Sequence, residues 1–294
     1  MKITFALRQG KPFLYTQRQF IREKKQITRN PHYQLSIIHY QLLSPMRYFI
    51  RLRYKGKLYH GWQFQKNAPS VQEVVDEKLS LVLREKIETL GCGRTDTGVH
   101  AEDFYAHFDT VNEIKDIEAT LNKLASLRVP GVQFRGLCRV DDRLHARFDA
   151  TSRTYEYRIA RDLNPFLKGL TYYMHGDLDL KLMRKVTTQL LGKRDFGAFS
   201  KAHSQSKTNI CTITNADWEE RDDMLIFRIS ADRFLRNMVR AIVGTLLEIG
   251  QKKRPADDLL RVMNSGTRSD AGVSVPACGL FLTEVIYPEE SLNF

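Results

Sequence analysis

The segment Gly91-Cys92-Gly93-Arg94-Thr95-Asp96-Thr97-Gly98-Val99-His100-Ala101 sets a carboxylate beside a guanidinium inside a glycine-rich turn, a backbone that lets a ligand come close. An ionised aspartate presented in this way is a nucleophile or a proton acceptor. The bland alternative is a turn residue whose carboxylate accepts neighbouring backbone N–H groups. The glycine spacing and the missing Lys-Ser/Thr ending exclude a Walker A loop and a dinucleotide fingerprint. Arg233, Arg236 and Arg240 recur at three- and four-residue spacing. On a helix that lines up three guanidinium groups opposite the apolar Phe234, Leu235, Met238, Val239, Ile242, Val243, Leu246 and Leu247. Such a stripe either holds an anion or is a solvated basic face. Arg143, His145, Arg147, Arg153, Tyr155, Tyr157 and Arg158 interleave cations with aromatics. That mixture suits phosphate pairing and base stacking, and core tyrosines on an amphipathic strand look the same.

The elements that must position these groups follow from hydrophobic period. Tyr48, Ile50, Leu52 and Tyr54 alternate with Arg47, Arg51 and Arg53, a half-buried strand. Ser70 and Glu73 form a capping-box pattern ahead of Val71, Val74, Val75, Leu79, Val82 and Leu83, which have helical spacing. A short apolar run ends at Leu90, the glycine loop follows, and a strand is predicted at Phe104 to Phe108. Beyond it the pattern gives a helix at Ile117 to Leu127 and strands at Val132 to Val140 and Thr154 to Ala160. A helix at Leu180 to Leu191 follows, then a hairpin turning at Asp222 and Asp223 between Asn215 to Trp218 and Leu225 to Ile229, and a long helix beyond Asp232. The expectation is an α+β protein of two halves, 46–150 and 151–294, with sheets covered by helices and the nucleophile loop in the first half.

Residues 1–45 stand apart. They carry many Lys, Arg and Gln, have Glu23 as their sole acid, and show no sustained amphipathic period. The expectation is a disordered basic leader outside the fold, or a start codon assigned too early, with Met46 opening the patterned sequence. The functional alternative is an arm that follows RNA phosphates. The whole chain of 294 residues has a formal charge of +12, so an extended polyanion is its natural partner. Cys92, Cys138, Cys211 and Cys278 lie too far apart for a CxxC zinc site and suggest no disulfide framework, which fits the reducing cytoplasm. There is no apolar run of membrane-spanning length and no secretory signal pattern, so no membrane association is expected.

Taken together, several motifs resemble the tRNA pseudouridine synthase A family. They are Gly61-Trp62-Gln63, Gly93-Arg94-Thr95-Asp96 running into Gly98-Val99-His100-Ala101, and His145-Ala146-Arg147-Phe148. The resemblance continues through Arg153-Thr154-Tyr155-Glu156-Tyr157, Asp195-Phe196-Gly197-Ala198-Phe199, Arg236-Asn237-Met238-Val239-Arg240 and Pro276-Ala277-Cys278-Gly279-Leu280. It spans Met46 to Tyr287 in the family's order, and the nucleophile motif is its most specific part. Thr97 stands at a variable motif position, and Gly197 where many relatives have Ser or Thr. The resemblance implies Asp96 as catalytic nucleophile, Arg240 and Tyr155 as its active-site companions, and Arg94 as the base-flipping arginine. It also implies RNA contacts at Leu144, His145, Ala146, Arg147 and Phe148, and at His203, Ser204, Gln205, Ser206 and Lys207. The implied fold is two RRM- or ferredoxin-like halves sharing a continuous, mostly antiparallel sheet. The implied function is isomerisation of uridine to pseudouridine at positions 38, 39 and 40 of the tRNA anticodon stem-loop, by a cytoplasmic homodimer.

The reaction breaks the C1′–N1 bond of a uridine, turns the uracil and rejoins it through C5. One carboxylate is its key reagent, attacking C1′, abstracting a sugar proton, or adding to the base at C6. No electron transfer or hydrolysis occurs, so neither cofactor nor metal is expected. Arg240 would orient the carboxylate, Arg94 would fill the space left by the flipped uridine, and Tyr155 would stack on the uracil and could take part in C5 deprotonation. Two rivals carry different expectations: a non-catalytic RNA-binding module, which leaves Asp96 idle, and a metal-dependent nuclease using Asp96, Asp103 and Asp109.

Overall fold

The computed structural model of the chain describes residues 3–8, 11–16, 45–201 and 208–294. They fall into two units, Met1–Pro45 and Met46–Phe294. The described backbone of the first is an antiparallel ribbon of β1 (Ile3–Arg8) and β2 (Lys11–Thr16).

The second unit runs β3 (Met46–Tyr54), α1 (Val71–Leu83), β4 (Leu90–Gly91), β5 (His100–Thr110), α2 (Ile117–Ser126), β6 (Val132–Arg139) and β7 (Ser152–Ala160). It continues with β8 (Tyr172–Tyr173), α3 (Leu180–Thr187), β9 (Gly192–Asp195), β10 (Ile210–Arg221), β11 (Met224–Ala231), α4 (Met238–Gly250), α5 (Asp258–Ser265) and β12 (Leu280–Ile286). Its strands form one ten-stranded sheet in the order β6-β3-β5-β12-β7-β11-β10-β9, with β4 added to β5 and β8 to β7. Pairing is antiparallel except between β12 and β5 and between β7 and β8. The last strand therefore closes the centre of the sheet, joining strands from either side of Ala150. This is the α+β class expected, a mostly antiparallel sheet with helices.

Local chemistry sets the element ends. The Ser70 hydroxyl accepts the Glu73 N–H at 3.2 Å while the Ser70 N–H reaches the Glu73 carboxylate at 3.5 Å, the capping box read from sequence, worth about 1 kcal/mol. Asp222 turns the β10–β11 hairpin in the left-handed region, at φ 51°. Two hydrophobic clusters fill the interior. One packs α1 and α2 with β3, β5 and β6 around Trp62, Phe104 and Phe108, and takes Leu282, Val285 and Tyr287 from the C-terminal end. The other gathers Tyr157, Phe196, Phe199, Trp218 and Phe227 with α3, α4 and α5, and takes Val99 from the glycine loop.

The long helix expected beyond Asp232 begins later, at Met238. Asp232 is held in a turn because its carboxylate accepts the N–H groups of Thr212 and Arg233 at 2.8 and 2.7 Å. Asn237 then takes φ 68°, which a right-handed helix cannot pass through. Nor is α4 amphipathic with a solvated side. Of its residues only Arg240 and Glu248 escape burial, and a Cβ on Gly244 would stand 1.9 Å from the Val273 carbonyl oxygen, so that loop is pressed onto the helix. Arg233 and Arg236 lie in the lead-in loop rather than on a helical stripe.

Candidate active site

Asp96 lies in the loop between β4 and β5, and that loop is fixed from several sides. The Thr95 hydroxyl shares a hydrogen bond with the Tyr54 hydroxyl at 2.9 Å, and the Val99 N–H donates to the Asp96 carbonyl at 3.1 Å. The Trp62 N–H reaches the Thr95 carbonyl at 3.4 Å, while the indole packs on Phe104 with ring centroids 4.2 Å apart. Gly61 has φ 90°, and a Cβ there would sit 2.3 Å from the Thr95 carbonyl oxygen. Glycine is therefore the residue that lets the Gly61-Trp62 segment brace the Asp96 loop.

Two guanidinium groups face the Asp96 carboxylate, whose side chain is 26% exposed. Arg240 donates from Nε to the Val275 carbonyl at 2.8 Å and points Nη1 at Asp96 Oδ2 from 3.4 Å. Arg236, reaching from the lead-in loop, brings Nε to 3.6 Å from Asp96 Oδ1. The family resemblance implies Arg240 as a companion of Asp96, whereas the sequence offers Arg236 only as part of a basic stripe and of the Arg236-Asn237-Met238-Val239-Arg240 motif, and the structure brings it to the same carboxylate.

Tyr155 and Tyr157 share one side of β7, and the structure separates their roles. Tyr157 is fully buried and donates to the Pro276 carbonyl at 2.8 Å, a core tyrosine. Tyr155 is half-buried, standing edge-on to Phe234 at 5.1 Å. Burial, with the Cys92 thiol and the Asp96 carboxylate nearby, holds the Tyr155 phenol well above its usual range, so it stays protonated. Burial likewise pushes the Cys92 thiol up to about 12, so it too stays protonated.

The segment from Leu144 to Phe148 is a braced corner. The Leu144 carbonyl accepts from Arg47 at 3.0 Å, and Ala146 is buried with its N–H on His107 Nδ1 at 3.1 Å and its carbonyl on the Tyr287 hydroxyl at 2.6 Å. His145 turns Nδ1 inward to accept the Arg147 N–H at 3.0 Å, so its proton sits on Nε2. Arg147 and Phe148 are left exposed, the guanidinium 5.7 Å from the ring centroid. Burial and the neighbouring Arg94, Arg153 and Arg233 depress the Arg147 pKa, which marks a concentration of positive charge. Arg94 is exposed beside it. His203, Ser204, Gln205, Ser206 and Lys207 lie outside the described residues.

The acids of the nuclease reading do not assemble. Asp103 pairs with Arg51 at 2.6 Å and Asp109 with Arg47 at 2.7 Å, while Asp96 faces Arg236 and Arg240. Among the described residues no group of three or more His, Cys, Asp or Glu side chains could hold a metal ion. Nor is any described helix long and apolar enough to cross a membrane.

Comparison with known proteins bears on this geometry. A family model described as tRNA pseudouridine synthase matches residues 186–288. The tRNA pseudouridine synthase A of Bacteroides fragilis is 46% identical over 249 residues, 84% of this chain and 99% of the relative. That of Parabacteroides distasonis is 45% identical over 244 residues, 83% of this chain and 97% of the relative. That of Bacteroides thetaiotaomicron is 45% identical over 247 residues, 83% and 91% respectively. A solved Cbf5-Nop10-Gar1 complex contains a chain that is 13% identical, at a TM-score of 0.35 over 90% of this chain and 54% of that one.

Proposed function

The chain belongs to the tRNA pseudouridine synthase A family, and on that premise we propose that it isomerises uridine to pseudouridine at positions 38, 39 and 40 of the tRNA anticodon stem-loop, with Asp96 as nucleophile. The observation that carries this reading is a partly exposed carboxylate, in a loop braced through glycine, paired with two arginines whose nitrogens stand 3.4 and 3.6 Å from its oxygens.

The reaction balances within the substrate. The C1′–N1 bond breaks, a C1′–C5 bond forms, the C5 proton leaves to solvent and N1 gains one, with no redox partner required. Asp96 supplies the carboxylate to C1′ or C6, and Arg240 and Arg236 orient it while leaving room for the nucleotide. The protonated Tyr155 stacks on the turning uracil and donates a hydrogen bond. Flipping the uridine out of its stack costs a few kcal/mol. Arg94 holds the vacated space, and Arg147, Phe148 and His145 take the neighbouring backbone and bases. The excess of positive charge supports a polyanionic substrate bound mainly through phosphates. The working form is a cytoplasmic homodimer, which light scattering of the full chain would check.

The test uses the purified full chain, EDTA, and anticodon stem-loop RNA tritiated at uracil C5. Wild type releases tritium, and Asp96→Asn binds the RNA but releases less than about a thousandth as fast. Release by Asp96→Asn would overturn the assignment, and tight binding without release by either protein would favour the RNA-binding module.

A further inference from the structure

One arginine near the site makes no ion pair among the described residues and still places both terminal nitrogens of its fork on backbone carbonyls. Arg153, near the start of β7, donates from Nη1 to the carbonyls of Ala150 at 3.2 Å and Asp232 at 2.8 Å. From Nη2 it donates to the carbonyls of Cys92 at 3.1 Å and Arg147 at 2.6 Å. Strand alternation places it on the same side of β7 as Tyr155.

Ala150 and Arg147 are its near neighbours in the chain, whereas Cys92 and Asp232 lie 61 and 79 residues away, and three of the four lead to different parts of the site. Cys92 opens the loop that carries Asp96. Arg147 belongs to the exposed corner with Phe148. Asp232 starts the lead-in that carries Arg236 to Asp96. We propose that Arg153 is a positioning residue of the isomerisation: it locks the RNA-contact corner to the nucleophile loop and the arginine lead-in, so that RNA seated on Arg147 and Phe148 arrives in register with Asp96. The inference rests on the reading of Asp96 as nucleophile. A planar fork with fixed N–H directions satisfies these carbonyls in one relative arrangement only, which a lysine ammonium, with its donors at a single point, cannot reproduce. Lysine keeps the charge, and with it the long-range attraction for RNA, but loses the lock.

The comparison that tests this uses another arginine of the same strand. Arg158 also spends its fork on fixed partners, Glu102 and Glu156 at 2.8 Å each, and takes no part in the site. Arg153→Lys and Arg158→Lys are made in the full chain, with circular dichroism and melting to establish folding. tRNA affinity and single-turnover tritium release at saturating stem-loop are then measured. Arg153→Lys keeps affinity within about threefold and slows release on the order of tenfold to a hundredfold, as a small misplacement of the nucleophile does. Arg158→Lys releases at nearly the wild-type rate. Should Arg153→Lys fold poorly, Arg153→Gln, which retains two N–H donors, replaces it and is read in the same way. An undiminished rate at saturation, a loss cured by more RNA, or an equal loss in Arg158→Lys overturns the proposal. Asp96→Asn in the same assay separates the two readings. Release by that variant sinks both, whereas a silent Asp96→Asn beside an undiminished Arg153→Lys sinks the positioning role alone.

Discussion

Along β3, β5 and β7, arginines close directly on carboxylates: Arg47 on Asp109 at 2.7 Å, Arg51 on Asp103 at 2.6 Å, and Arg158 on Glu102 and Glu156 at 2.8 Å. Around Asp96 the same two groups stand apart, at 3.4 and 3.6 Å, and Arg153 and Arg240 spend their remaining donors on backbone carbonyls. In the ladder each of these positive charges is neutralised where it stands, by carboxylates of which Asp103 and Glu156 are buried. At the site Arg94, Arg147, Arg153, Arg236 and Arg240 bring more positive charge than the Asp96 carboxylate carries. An arginine matched to a carboxylate is architecture, and a surplus of arginines around one carboxylate is a place for a polyanion.

The sharpest way to break that contrast is to open one pair on each side. Arg240→Met lowers single-turnover release roughly a hundredfold with tRNA affinity little changed, because the carboxylate loses the group that orients it. Asp103→Asn, which opens a ladder pair, leaves turnover within about twofold and lowers stability by about 1–3 kcal/mol in urea unfolding. If the two variants behave alike, the distinction between closed and open pairs has no functional content.

A smaller effect on turnover tests the bracing of the loop. Gly61→Ala forces a Cβ to within 2.3 Å of the Thr95 carbonyl at a φ of 90°. We expect a loss of about tenfold in release and a destabilisation of about 1–3 kcal/mol. Wild-type kinetics in this variant would show that the loop does not depend on the Gly61 contact.

The smallest effect at neutral pH concerns the corner that presents Arg147. Burial, Arg47 and His145 push His107 down to about 4 from 6.5, with Asp109 and Asp149 opposing. The folded state therefore holds a neutral imidazole that the unfolded chain protonates first. Its contribution is complete above pH 6.5 and is lost as the pH falls towards 4, up to about 3 kcal/mol. Urea midpoints at pH 7 and pH 4.5 should fall more steeply for wild type than for His107→Gln. Equal slopes would remove the buried, neutral histidine from the account.

Much of this was legible beforehand, for reasons that differ by residue. The box at Ser70 and Glu73, the alternation of β3 and the Asp222 turn are local, so their physics is written in neighbouring residues. Asp96 was legible because glycines flank it in a motif shared with a family. The lead-in before α4 was misread as helix, since Asn237 adopts its left-handed backbone under tertiary contacts, including a hydrogen bond of 2.6 Å to the Ser274 hydroxyl. β12 was not read as a strand, and its place at the centre of the sheet depends on partners nearly two hundred residues earlier.

By itself, the sequence determined which segments are helix or strand where the pattern is strong, the positive charge of the molecule, and the glycine-flanked placing of Asp96 beside Arg94. Each depends on composition or on residues a few positions apart. Tertiary structure alone decided that Arg236 joins Arg240 at Asp96, that Tyr157 is core while Tyr155 stands by the carboxylate, and that Arg153 ties together Cys92, Arg147 and Asp232. Those relations require the sheet to bring distant segments within hydrogen-bonding range, and no local period in a chain encodes which carbonyl an arginine will find.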